Sequence, residues 1–222
     1  QVWAVPIRVV AGYAGVTLKT AAYEFGTTSE AYRALHPTLK CPVLTTSTGA
    51  AVFETPAIAK LIAALRPEAG LLPSSVIDAA QVDAWSTFAA TEIQPLAGAT
   101  LFPYTLPQFF KYDAAAFTAA AEKFNKALAG INAHLLTRTY LVTEKITLAD
   151  ILLAGFIAPF FAVTFGEDIR AKYPNATRWF LTVVNQPAYV AAAGEPKLAA
   201  KTTTGPPAKP EPTPAPAPAA AA

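Results

Sequence analysis

Residues 146–163 read ITLADILLAGFIAPFFAV, and the reading of this stretch decides the fold. Its first six residues carry the signals of a helix start. Thr147 can act as the N-cap, Asp150 follows three residues on, and Ile146 can staple onto Ile151. A cap of this kind contributes about 1 kcal/mol. The helix it opens is apolar nearly all round, which predicts the central buried helix of an all-helical unit. Pro159 is expected to bend that helix or to end its regular part.

Working outward, the pattern stays helical on both sides. Further helices are predicted through Asn175 to Asn185 and after Pro187. Upstream, Asp113 is placed to cap a long helix over 113–136, where Phe117, Ala121, Phe124, Leu128 and Ile131 recur every three to four residues. Another helix runs from Val76 through Trp85 and Phe88 to Glu92 and is interrupted near Pro95. Between these two helices, Tyr104, Phe109, Phe110 and Tyr112 form an aromatic-rich loop with Pro103 and Pro107, suited to packing against the domain joint or against a partner. RPEAGLLPSS (66–75) breaks the periodicity with two prolines and a glycine, and the domain boundary is placed there.

The first 65 residues follow a different pattern. VWAVPIRVV (2–10) alternates like a strand, yet it also sets Trp3, Ile7 and Val10 on one helical face with Pro6 in a first turn. VTLKT (16–20) reads as a short strand, and SEAYRALHP (29–37) as a helix stopped by Pro37. PVLTT (42–46), the turn STG and AAVF (50–53) read as a hairpin. Glu54 and Thr55 then open an amphipathic helix, PAIAKLIAAL (56–65), with Pro56 in an early helical position. At the other end, KTTTGPPAKPEPTPAPAPAAAA (201–222) has nothing to bury. It reads as a semi-extended polyproline-type linker, either holding a further domain at a distance or ending the chain.

Composition narrows the chemistry. The 222 residues are 53% hydrophobic and 14% charged with a net charge of +2, which offers no clustered basic face for nucleic acid. No uninterrupted apolar run reaches about 18 residues, so no transmembrane segment is predicted. A single cysteine makes no internal disulfide, and two histidines about a hundred residues apart, His36 and His134, make a metal site improbable; both read as structural or surface histidines. No GxxxxGK[ST] or GxGxxG occurs, and the lone Gly12-Tyr-Ala-Gly15 reads as a turn. Arg178 and Trp179 are available for a surface pair, with core packing the alternative for Trp179 and Phe180. The chain opens on Gln1 without a signal pattern, which reads as a fragment of a reduced, cytoplasmic protein.

The small βα unit, the Glu-Thr helix start, the proline-rich joint and the capping box on a buried helix together resemble the glutathione transferase fold. The resemblance implies an α+β thioredoxin-like subdomain over 1–65 with its opening strand missing, a linker over 66–75, and an all-α transferase subdomain over 76–200. A disordered Pro/Ala/Lys-rich linker over 201–222 completes the expected organisation. It favours the helical reading of residues 3–15. In KCPVL (40–44), Pro42 matches the family's cis-proline, which implies main-chain contacts from Cys41, Pro42 and Val43 to the peptide-like backbone of glutathione. Glu54 and Thr55 match the acidic-hydroxyl pair that binds the γ-glutamyl end, where exposed helix N–H groups suit a carboxylate. Each has a plainer reading: helix capping for Glu54-Thr55, an ordinary turn for Pro42, a packed inert thiol for Cys41. The thiol-activating residue expected after the opening strand would precede Gln1, so the catalytic residue is unknown, and Tyr13 lies too far along its helix to take the role.

A narrower resemblance rests on YPNATRWFLTVVNQPAYVAAAGEPKL (173–198), with ITLADI upstream and the Lys/Pro/Ala tail downstream. This succession is similar to the transferase-like domain of the elongation factor 1 gamma family. It implies a scaffold holding the guanine-nucleotide exchange subunit that recharges elongation factor 1 alpha with GTP. The alternative is an enzyme conjugating glutathione or a related thiol to electrophiles. No cofactor is required by the first reading, glutathione or a related thiol fits the second, and a homodimer is compatible with both.

Overall fold

The computed structural model describes residues 2–21, 29–203 and 205–206. A 3₁₀ turn, Val2–Ala4, leads into α1, Val5–Ala14. The opening segment is therefore helical, and Pro6 sits in the first turn, where its missing N–H costs nothing. Gly15 closes α1 at φ 62°, a left-handed conformation that suits glycine. Next come α2 (Glu30–Arg33), β1 (Val43–Thr45), β2 (Ala51–Phe53) and α3 (Thr55–Ala64). The two strands form an antiparallel hairpin in the register Val43 opposite Phe53.

Residues 16–20 differ from the strand expected of them. They are not laddered, because β1 and β2 pair with each other and no other described strand lies alongside. Branched side chains favour the extended conformation, but a strand also needs a partner for its backbone groups. Val16 instead donates its N–H to the Ala11 carbonyl at 2.9 Å, and Val16 and Leu18 pack partly against the core.

The helical remainder comprises α4 (Val76–Phe88), α5 (Ala97–Thr100), α6 (Phe102–Thr105), α7 (Ala114–His134), α8 (Leu148–Val163), α9 (Glu167–Arg170), α10 (Pro174–Val184) and α11 (Pro187–Ala193). A π turn over Ala89–Ile93 and a 3₁₀ turn over Gln94–Leu96 connect α4 to α5 around Pro95. Asp113 caps α7 by accepting the Ala116 N–H at 2.7 Å. Helix α8 is buried from Leu148 through Ile157. It does not end at Pro159 but runs on to Val163. A proline inside a helix costs about 3 kcal/mol through one lost backbone bond and ring crowding. Continuing the helix buries Phe160 and Phe161 completely, and each such side chain offsets about 1.5–3 kcal/mol.

The stretch 66–75 is pinned to the body. Leu71 is fully buried, and its carbonyl accepts the Leu148 N–H at 2.9 Å. Helix α1 packs on α3, α8 and α11, so one continuous core spans both halves. The α1–α8 crossing is close: a Cβ on Gly155 would lie 2.4 Å from Pro6 Cγ, and the pyrrolidine ring cannot swing away. Gly155→Ala should therefore force α1 off α8 and cost about 1–3 kcal/mol. Urea denaturation of the variant measures it; an unchanged midpoint would mean that the helices cross farther apart.

The C-terminal stretch departs from the linker reading in its first residues. Ala199 donates to Phe161, Glu167 donates to Ala200, and Thr203 donates to Thr164 through the backbone. The Thr202 side chain accepts the Gly166 N–H at 2.9 Å and donates to Asp168 at 2.7 Å. Gly166 is needed here, since a Cβ would lie 2.2 Å from the Lys201 carbonyl carbon. The linker expected to begin at 201 thus starts as a strap fastened to α8 and α9, because threonine hydroxyls supply bonds that the proline and alanine count does not suggest. Residues 207–222 lie outside the described residues.

Candidate thiol-binding site at the hairpin and helix start

Hairpin register brings the candidate residues to one end of the small sheet. Val43 pairs with Phe53, so Pro42 and Glu54 both lie one residue beyond the same end of the ladder. The Cys41–Pro42 peptide is cis, and Cys41 is half-buried. Tyr32, on α2, holds the approach to this bond by donating its hydroxyl to the Lys40 carbonyl at 2.9 Å.

On the opposite strand, Glu54 has φ 67°, one of two described non-glycine residues at positive φ. Such a conformation costs on the order of 1–3 kcal/mol and is kept only where the surroundings impose it. Here a strand must turn into a helix within one residue. The Glu54 side chain is exposed and makes no capping bond to α3, so the capping alternative for it is not what the geometry contains. With Pro56 lacking an N–H, the start of α3 presents the Thr55 and Ala57 N–H groups, where the helix dipole favours an anion. Thr55 is 2% exposed and its hydroxyl donates to the Trp3 carbonyl at 3.0 Å. Its hydroxyl is therefore engaged in tying α3 to the turn before α1.

Sequence reasoning missed one support of this corner. His36 is 3% exposed and its ring lies 4.7 Å from Phe53. Nδ1 accepts the Thr38 N–H at 3.1 Å, which leaves Nε2 as the protonated nitrogen of the neutral ring. The signal was Thr38 two residues after His36, a spacing that permits such a local bond. His134 is likewise engaged, its Nε2 2.7 Å from the Leu141 carbonyl.

Tyr13 lies outside this corner. Its hydroxyl is buried without a hydrogen bond among the described residues, and burial, with Tyr140 and Asp150 adding, pushes it up to about 12. An open groove of about 430 Å³ between α1, residues 16–20 and α11, bordered by Arg8, Gly12, Leu18 and Ala191, is also separate from the hairpin corner.

The capping-box residues form their own cluster. Asp150 accepts the Thr147 N–H at 2.8 Å and its hydroxyl at 3.0 Å on Oδ2. On Oδ1 it accepts the Leu141 N–H and the Trp179 Nε1–H, both at 2.9 Å. Burial pushes the carboxyl upward against these four donors. Ile151 is fully buried and Ile146 packs partly against the core. Trp179 and Phe180 are core residues, and Arg178 donates to the Leu135 and Arg138 carbonyls at 3.0 and 2.8 Å.

The glutathione S-transferase C-terminal domain family matches residues 93–187. Elongation factor 1-gamma of Artemia salina is 36% identical over 204 residues, covering 90% of this chain and 46% of that protein. The chain thus spans about half the length of the curated relatives it matches. The crystal structure of the GST-like domain of elongation factor 1-gamma from Saccharomyces cerevisiae superposes with a TM-score of 0.76 at 23% identity, covering 93% of this chain and 95% of that one. A Methylobacillus flagellatus glutathione S-transferase with GSH bound superposes at 0.74 with 21% identity, covering 87% and 95%. No helix among the described residues is long and apolar enough to cross a membrane. Over the region it spans, the chain is similar in sequence to elongation factor 1-gamma and has the glutathione transferase-like fold.

Proposed function

We propose that this chain is the anchoring module of a translation elongation factor 1 complex. In this reading it holds the guanine-nucleotide exchange subunit that recharges elongation factor 1 alpha with GTP, and it works in the cytoplasm. The observation that carries the reading is the 36% identity to an elongation factor 1-gamma over 204 residues. The fastened exit of the C-terminal strap fits a module that passes its chain onward from a fixed point. The test is co-purification with a candidate exchange subunit, followed by the mass of the complex in solution. A stoichiometric complex supports the anchoring role; two separate species, with the full-length protein used, would overturn it.

A second reading is favoured by one corner of the fold. Pro42 and Glu54 stand at the same end of the hairpin, beside the start of α3, and among the described residues no side chain caps that helix. In this reading glutathione or a related thiol lies along Cys41, Pro42 and Val43, with its γ-glutamyl carboxylate at the α3 N–H groups and its amino group at Glu54. Glu54→Ala should then lose retention on immobilised glutathione at least tenfold, because the ammonium partner is gone. Equal retention of parent and variant would reduce the corner to a structural turn. Thiol binding and anchoring are compatible within one chain.

A further inference from the structure

The groove beside α1 stands apart from the hairpin corner and has a chemistry of its own. It holds about 430 Å³ between α1, residues 16–20 and α11. Arg8, Ala11 and Gly12 line one side, and Ala188, Ala191 and Ala192 line the other. Each set recurs at i, i+3 and i+4, so each is a single face of its helix. The small side chains leave a trough where the helices meet, and a Cβ on Gly12 would lie only 3.6 Å from the Ala188 carbonyl oxygen. Gly15 ends α1 and Val16 donates its N–H to the Ala11 carbonyl, which sets residues 16–20, with Leu18, as the third wall.

The rim of this trough is positive. Arg8 lines it, and Lys19 stands between Leu18 and Thr20, which line it too. Both cations are exposed, and neither has an ion-pair partner among the described residues. The three walls, Val5–Ala14, 16–20 and Pro187–Ala193, contain no aspartate or glutamate. An apolar trough edged by two cations complements an apolar stripe flanked by carboxylates. The open side also selects the occupant. A small molecule is held by burying about 70–90% of its surface, whereas an amphipathic helix needs cover for one face only. The lining residues of each helix span about 6 Å, roughly one turn, so the trough takes two apolar side chains one turn apart. We propose that this groove docks an acidic amphipathic helix of the partner that the chain anchors, with its carboxylates on Arg8 and Lys19. The inference rests on the anchoring reading and names the surface that does the holding.

The test measures the affinity of the full-length protein for the candidate exchange subunit. Arg8→Glu combined with Lys19→Glu should weaken binding about tenfold or more and reduce its salt dependence, since like charges then face each other across the rim. Ala191→Trp should weaken it as much by filling the trough. Lys126→Glu, the same reversal of sign on α7, should leave the affinity unchanged. All four positions are exposed, and melting temperatures equal to the parent's show that the variants fold. If the parent binds and the groove variants bind as tightly, the groove assignment falls while the anchoring reading stands. If the parent does not bind, the anchoring reading falls and takes this inference with it. A parent that dimerises on its own, and loses that dimer in the groove variants, would assign the groove to a second copy and overturn the inference.

Discussion

Asp150→Ala should lower the unfolding free energy by about 3–5 kcal/mol, because it removes a cap and leaves three buried N–H donors without an acceptor. The capping loss alone would be about 1 kcal/mol. The remainder comes from the donors left behind. Trp179 Nε1–H, Leu141 N–H and Thr147 N–H all point at this carboxylate at 2.8–2.9 Å. Each buried donor without an acceptor costs about 1–3 kcal/mol, and alanine supplies none. Asp150→Asn should recover part of the loss, because its amide oxygen keeps one acceptor in place. Urea denaturation with intrinsic tryptophan fluorescence measures both variants, since Trp179 reports on the site directly. A loss of only 1 kcal/mol in the alanine variant would show that the Leu141 and Trp179 contacts carry no net stability.

Phe124→Ala is expected to cost a comparable amount, about 3–5 kcal/mol. Phe124 is 0% exposed and stacks on Phe165 at 4.4 Å and on Phe160 at 5.0 Å, with Phe161 edge-on at 6.0 Å. Truncation opens a cavity walled by three aromatic rings, and rings held by the α8 backbone and by the α8–α9 turn cannot collapse into it. Phe109→Ala supplies the contrast: Phe109 is 57% exposed, so its loss should stay within about 0.5 kcal/mol. Equal midpoints for the two variants would mean that the ring cluster is not the stabilising centre of the helical unit.

These two variants also mark what was legible in the sequence. Phe117, Ala121, Phe124, Leu128 and Ile131 announce a buried face by spacing alone; four of them are buried, and Ala121 packs partly against the core. The Thr147–Asp150 pair announces a helix start by its local pattern. That Asp150 also serves Leu141 and Trp179 was hidden, because a local motif carries no information about donors arriving from 9 and 29 residues away. Residues 16–20 failed for a related reason: strand preference is local, whereas a ladder needs a neighbour. The strap failed because composition weighed its prolines and alanines and passed over Thr202 and Thr203. At the hairpin corner, the residue types were visible as a pattern. The bond from Thr55 to Trp3 and the ring of His36 beside Phe53 were not, since both join residues far apart in the sequence.

The packing of α1 on α11 has a consequence for synthesis. The two helices are separated by about 170–180 residues, and a ribosome adds roughly 5–20 residues per second, so α1 waits on the order of 10–35 s for the helix that covers it. During that interval the face of α1 turned to Ala188 is open to water and to any passing apolar surface. The face of α1 that meets α11 is therefore covered only after α3 and α8 have already been made and have covered other faces of the same helix.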